Sequence, residues 1–550
     1  MLVALSAAAL TARADTYTWA DPTVSGTWDA TTLANWLVSG SIPTVAPGTA
    51  DDVVISSDTG VIITLSGVLA PNINTLTVNS GATLLVTGGN RGAFATGIIN
   101  AGLMYVTGTR PFAQLPNGQG TLTVTNTGTI TLAAGSLLSL AGQVTNTGGR
   151  FDVQAGGALN VVGMTLLQGG ILDIASGASV IQNDVQAIGG FKLENVTISN
   201  HSQWVWSSMT GGGGRNKEMT VSGGAFDNAG LFTLSQLGDV VNGGSGYGRN
   251  LSVYVKDNNS FTNSGTIAIS NSTPDVSPGN EYAQFVVSAG GTLTNSGRLT
   301  VSNAATNTET NVNTSQYALL SIAADGEFIN TGTVSVSLDD AVADETFHYA
   351  TLFIGKSWVN DGAIIVSAAN KIAASAKLDV RGDYTQSAPG AALLVADGGL
   401  ASVAGNLTVS GGVLGGAGRI AATGAITVSD GLLDPDGTLR LSNLTLSPDA
   451  VIEFNLDTDL LNIDGALALN DATLNLTHSA LADGSYLLAN YGALVNDALT
   501  ISGRSDYNYA LNFTTSGKIF LDLTAIPEPS AWALLATGGA LLAWWRRRRD

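Results

Sequence analysis

Glu281, Gln316 and His348 each stand directly before a tyrosine, Tyr282, Tyr317 and Tyr349, in the related segments EYAQFVV, QYALLSI and HYATLFI. If those segments lie side by side, the first column brings an acid, an amide and an imidazole onto neighbouring strands. Glycoside hydrolysis asks for two carboxylates about 5 to 9.5 Å apart, and a column whose chemistry changes at every step supplies one. The tyrosine column is uniform. It could stack on the sugar rings of an exopolysaccharide, and stacked aromatics also stabilise a sheet face with no ligand. Both readings of Tyr282, Tyr317 and Tyr349 stay open, and no residue is assigned a catalytic role.

Other reactive groups are scattered. His201, His348 and His478 are far apart, and none falls in the paired spacing of a zinc site. Asp339, Asp340, Asp344 and Glu345 could offer hard oxygens to calcium, but they match neither a calcium-binding repeat nor an EF-hand loop and read as a solvated turn. The runs GGGGR (211–215) and GGSGYG (243–248) lack the lysine of a phosphate-binding loop. With no cysteine, thiolate chemistry and disulfides are absent. No metal or cofactor is expected. Twenty-two basic residues against 42 acidic ones give a net charge of -20, which repels a phosphate backbone and argues against a nucleic-acid partner.

Whatever these residues do, a repeating framework must place them. Charged residues are only 12% and hydrophobic ones 44%, with 68 glycines in 550 residues, a balance that suits a folded, turn-rich β protein. The segments FDNAGLFTLS, FTNSGTIAIS, LTNSGRLTVS, FINTGTVSVS and WVNDGAIIVS align on Asn228, Asn263, Asn295, Asn330 and Asn360, at spacings of 35, 32, 35 and 30. TVTNTGTITL and QVTNTGGRFDV are earlier variants. After each glycine, apolar and polar residues alternate, so the units are strands rather than helical repeats. Ile267 and Ile269, Leu299 and Val301, and Val334 and Val336 share one side by the period of two. In the tyrosine segments, Ala283, Phe285 and Val287 and their equivalents turn inward, which leaves the tyrosines outside.

Such coils bury their apolar face only against one another. The pattern predicts an all-β fold, a parallel β-solenoid of right-handed β-helix type, with the asparagines hydrogen-bonded into a ladder and each following glycine supplying a positive φ. At about 25 residues per coil and ~4.8 Å between strands, some 500 residues would form a rod of about 100 Å. Trp19, Trp28 and Trp36 precede the repeats at spacings of 9 and 8. They read as a cap over the open end, with a carbohydrate-binding triad as the functional rival.

The two ends read as an address. MLVALSAAAL followed by TARAD has the apolar core and small residues, Ala12 and Ala14, of a signal-peptide cleavage site. It lacks a positive leader, as it would if translation began upstream of Met1. At the other end Ala531 to Trp545 is an apolar run of about 22 Å as a helix, expected as a short transmembrane helix, with Trp544 and Trp545 at the interface and Arg546, Arg547, Arg548 and Arg549 on the cytoplasmic side. Pro527-Glu528-Pro529 before that run, the run itself and the arginine cluster together resemble the PEP-CTERM sorting signal of Gram-negative bacteria, over about the last 25 residues. The resemblance implies an exosortase-type processing enzyme as partner, an inner-membrane intermediate and removal of the tail. A permanently membrane-anchored adhesin is the alternative for the same tail.

From about Gly399 the pattern changes, and GGVLGGAGRIAATGAITVSDGLLDPDGTLRLSNLTLSPDAVIEFNLDTDLLNIDGALALNDATLNL resembles the autotransporter-associated β-strand repeats of bacterial passenger proteins, departing from them at Asp434-Pro435-Asp436-Gly437. The sorting tail stands where such proteins carry a membrane barrel. The expected organisation is a signal peptide (1–14), an N-terminal cap (15–57), solenoid repeats (58–398), an autotransporter-like end section (399–524) and a sorting tail (525–550). The reading is an exported, non-catalytic surface or matrix protein at the cell surface, in the outer membrane or in the extracellular matrix. A β-helical polysaccharide lyase or glycoside hydrolase is the enzymatic alternative.

Overall fold

A computed structural model describes residues 14–28, 32–48, 50–56, 58, 60–65, 73–87, 94–110, 122–140, 142–161, 165–182, 191–194, 196–208, 217–236, 250–272, 281–304, 316–338, 348–368, 376–479, 481–526 and 531–549. Strands dominate, and the chain divides into two compact units: Met1–Lys356 with Ala368–Asp379, and Ser357–Ser367 with Val380–Asp550.

In the first unit the chain winds through three parallel sheets. One coil runs Glu281–Val287 in the first sheet, Thr292–Asn295 in the second and Arg298–Asn303 in the third. The next coil, Gln316–Ile322, Glu327–Asn330 and Thr333–Leu338, pairs with it in parallel and without slip: Ala283 opposes Ala318, Leu293 opposes Phe328 and Leu299 opposes Val334. The parallel β-solenoid expected from the repeats is thus present. Its inward residues are those that the alternation marked. Ile267, Ile269, Leu299, Val301, Val334 and Val336 have no exposed surface, and each contributes about 1.5–3 kcal/mol of burial. Further up, Phe226 stacks on Phe261 at 4.3 Å and Phe261 meets Phe285 edge-on at 5.2 Å, so aromatic rings as well as aliphatic chains pile up along the core.

At the corner between the second and third sheets the expected asparagine ladder is formed. Nδ2 of Asn200, Asn228, Asn263 and Asn295 donates in turn to Oδ1 of Asn228, Asn263, Asn295 and Asn330, at 2.6, 2.7, 2.6 and 2.7 Å. The ladder is fully buried, where an unpaired amide would cost about 1–3 kcal/mol. The earlier variants of the motif use another corner. Asn100 and Asn126 end strands of the first sheet and, with Asn146, form a separate ladder at 2.7 and 2.6 Å.

The reason for the glycine in these turns differs from the expectation. Gly265, Gly297 and Gly332 do not adopt positive φ. A Cβ on any of them would sit 2.2 Å from the carbonyl oxygen of the matching glycine one coil earlier, so close stacking of turns, rather than backbone handedness, excludes a side chain. Positive φ, as expected, is found at Gly148 of the Asn146 turn, and in the later coils at the preceding corner, at Ala289 and Gly290.

The N-terminal end departs from the parallel pattern. Thr16–Trp19 pairs antiparallel with Trp36–Val38 on one side and parallel with Asp52–Ile55 on the other, so one antiparallel strand finishes the first sheet. Trp36 contacts Trp19 at 5.2 Å and Trp28 at 5.1 Å, both edge-to-face, and Gly26 makes room for the Trp19 ring.

In the second unit the coils shorten. Leu400 opposes Arg419, Leu407 opposes Ile426 and Leu414 opposes Leu433, an advance of 19 residues against 35 between Asn228 and Asn263. The parallel winding then ends. Gly484–Asn496 pairs parallel with Leu460–Ala468 but antiparallel with Lys518–Ala525, and Tyr507–Asn512 adds a second antiparallel pairing.

The last element is the helix Ala531–Arg547. Its 17 residues already include Arg546 and Arg547, and no helix among the described residues is long and apolar enough to cross a membrane. The expected transmembrane helix is corrected on this point: the helix forms, but its apolar part covers about 22 Å against roughly 30 Å of hydrocarbon.

Candidate functional surface

Tyr282, Tyr317 and Tyr349 lie opposite one another on adjacent strands of the first sheet. Their rings stack at 4.7 Å and 11° and at 4.9 Å and 5°. The alternation of the strands brought them to one outward column, as expected, and the strand spacing then forces ring against ring. Both faces of Tyr317 are therefore covered by tyrosine. A sugar could stack only on the outer rings, or by prising the column apart. Burial pushes all three phenols above the ordinary tyrosine value, Tyr317 furthest because the tyrosines on either side add to the effect there. At Tyr282 a hydrogen bond with Asn250 opposes the shift.

Of the column before them, Gln316 is fully buried, with Glu281 and His348 as its neighbours in register. Asn303 donates to the Gln316 carbonyl at 2.8 Å, and the strand ends Gln236, Asn271 and Asn303 form a second buried polar row. That row was not read from the sequence, although its signal was there: a polar residue at inward parity closes three successive strands. The acidic cluster at 339, 340, 344 and 345 and both glycine runs fall outside the described residues.

Trp28 and Trp36 are only 1% exposed and Trp19 6%. Rings committed to each other in this way serve as packing, and the carbohydrate-binding reading of the tryptophans loses its open faces. The histidines are not brought together. His201 is exposed. His478 sits between Tyr509 Oη, 3.0 Å from Nε2, and the Ser479 carbonyl, 2.6 Å from Nδ1. Facing a carbonyl, Nδ1 must carry the proton, so in the neutral ring Nε2 accepts from the tyrosine. Arg504 donates its backbone N–H to the same Tyr509 oxygen and forks onto Asp506, whose carboxyl is held below its ordinary range chiefly by that guanidinium. This knot in the closing hairpins was also missed. GRSDYNY gave its only hint.

Carboxylates do stand on neighbouring strands: Asp152 opposite Asp173 in the second sheet, and in the third sheet Asp434, whose carboxyl is pushed above its ordinary range by burial and then by Glu453 on the paired strand. Arg150 ion-pairs with Asp173 and reaches to 3.9 Å from Asp152. Asp152 and Asp173 thus share a single guanidinium on a partly exposed sheet face. Among the described residues no group of three or more histidine, aspartate or glutamate side chains is placed to hold a metal.

Of the sorting residues, Pro527, Glu528 and Pro529 lie outside the described residues, as does Ala12, while Ala14 is exposed. Arg546 and Arg547 close the helix, and Arg548 and Arg549 lie over the rings of Trp544 and Trp545 at 4.4 and 4.2 Å. Cations and indoles thus share one end of the helix, an arrangement suited to a headgroup region. Against these geometries stand the comparisons with known proteins: no family model matches the chain, and no curated protein matches it.

Proposed function

We propose that this chain is an exported, non-catalytic surface or matrix protein whose repeats form a stiff display body and whose tail is a sorting signal. The tail carries the reading. Pro527-Glu528-Pro529, the helix Ala531–Arg547 and the arginines through Arg549 follow one another in the order of a PEP-CTERM signal. Its indole–guanidinium end would hold the precursor at the inner membrane until an exosortase-type enzyme cuts near the proline motif, after which the body reaches the cell surface or the exopolysaccharide matrix. Loss of Arg546 to Arg549 would leave the mature chain more acidic still.

The adjacent carboxylates Asp152 and Asp173 share Arg150 and so offer no free acid–base pair, which supports the non-catalytic reading at that place. Hydrolysis needs one free acid and one free base around a bound sugar. The test is mass spectrometry of the mature C-terminus from an exosortase-bearing Gram-negative host, for the wild-type chain and for a variant with Pro527, Glu528 and Pro529 replaced by alanine. The wild type should end near residue 527 and the variant should retain the arginines. An intact terminus in both would overturn the proposal.

A further inference from the structure

The third sheet presents a row of hydroxyls that the sequence motifs had not singled out. Leu231–Gln236, Thr266–Asn271, Arg298–Asn303 and Thr333–Leu338 pair without slip, which sets Ser235, Ser270, Ser302 and Ser337 in one outward column. Thr300 and Ser335 continue a second column beside it. Rungs repeat every ~4.8 Å along the stack and alternate residues about 6.7 Å across it, so the side chains form a two-dimensional hydroxyl grid. Ser270 Oγ donates to Ser235 Oγ at 3.0 Å, which keeps the acceptor capacity of the Ser270 oxygen.

We infer that this face binds a neutral, linear, hydroxyl-bearing polysaccharide laid along the rungs. The inference rests on the matrix reading above and names its partner class. Charge selects the occupant. The four strands contain a single charged residue, Arg298, on a chain of net charge -20. An anionic polymer would meet repulsion from the rest of the molecule and almost no compensating cation here. A protein partner would find none of the aromatic anchors that carry most protein interfaces. A neutral polyol exchanges hydrogen bonds with water and sheet hydroxyls at little desolvation cost. Each exchange contributes about 0.5–1.5 kcal/mol at most, and the repeat along the stack lets many small contributions act together. The tyrosine column, with both faces of Tyr317 closed, is not required.

Co-sedimentation of the purified full chain with microcrystalline cellulose, with soluble alginate as the anionic comparison, tests this. Ser270→Lys with Ser302→Lys on the third sheet should weaken cellulose binding by about tenfold or more. Thr262→Lys with Thr294→Lys, the same charges on the outer face of the second sheet, should leave it unchanged. Circular dichroism and a melting curve of both pairs verify that each is folded. Failure of the wild type to sediment with cellulose, equal loss in both pairs, or binding to alginate instead would overturn the inference. None of those results alters the C-terminal mass that tests the sorting tail.

Discussion

Asn263 shows how one side chain holds three coils. Its Nδ2 donates to Asn295 Oδ1 at 2.6 Å and to the Arg298 carbonyl at 3.1 Å, both on the following coil, while its Oδ1 accepts from Asn228 on the coil before. Its own backbone carbonyl receives the N–H groups of Ser296 and Gly297 at 2.8 and 3.1 Å. Truncation to alanine leaves that backbone turn in place but strands Asn295 Oδ1 and weakens the satisfaction of Asn228, in a site with no solvent access. At about 1–3 kcal/mol for each buried polar group left unpaired, Asn263→Ala should cost ~2–4 kcal/mol. A lower urea midpoint with little change in slope would register that loss. A midpoint equal to the wild type would mean that the ladder adds nothing to the apolar stack around it.

The tyrosine column belongs to the scale of strands, because no single strand contains it. Burial raises the folded-state pKa of Tyr282, Tyr317 and Tyr349 above the ordinary value of 10.0. The folded chain therefore holds these protons more tightly than the unfolded chain does. The stability they support is complete below pH 10 and is lost as pH rises through the higher folded values. Tyr317→Phe keeps the ring stack and removes the central phenol. Its melting temperature should match the wild type at neutral pH and fall less steeply above pH 10, whereas parallel alkaline profiles would show that the column does not sense pH. The column itself was legible in the sequence, since Tyr282, Tyr317 and Tyr349 recur at one phase of the period-two pattern, and the Asn228-to-Asn330 ladder was legible for the same reason. What alternation cannot convey is distance along the stack. It did not show that the rings would close on each other, nor that Gly297 is demanded by the Gly265 carbonyl 2.2 Å from where a Cβ would lie. Those follow from rung spacing, which appears only once coils are superposed. The shift of Asn100, Asn126 and Asn146 to a different corner was hidden because the same Asn-x-Gly turn serves both. Antiparallel closure by Lys518–Ala525 was hidden because an alternating strand reads alike in either direction. The serine column passed unread for a further reason: outward serines look like ordinary solvent-facing residues until register stacks Ser235, Ser270, Ser302 and Ser337.

At the scale of the whole molecule, contacts run between neighbouring coils, and this limits how far any local change can travel. Thr262 touches the coils of Asp227 and Thr294 through the sheet, and nothing in the pairing links it directly to Leu76 or Val124. In such a stack, stability is a sum of coil and interface contributions, and opening proceeds in contiguous blocks rather than all at once. The asparagine ladders sharpen the expectation, because they are separate: Asn100 to Asn146 at one corner, Asn200 to Asn330 at another. Asn263→Ala should therefore raise hydrogen exchange at the amides of Asn263, Ser296 and Gly297 and in the adjoining strands, while the amides of Leu76–Val78 and Leu122–Asn126 keep their native protection. Exchange mapped by mass spectrometry on the intact chain separates the possibilities. Uniform loss of protection across both ladders would mean that the solenoid unfolds as one cooperative body, and that its coils are coupled well beyond their nearest neighbours.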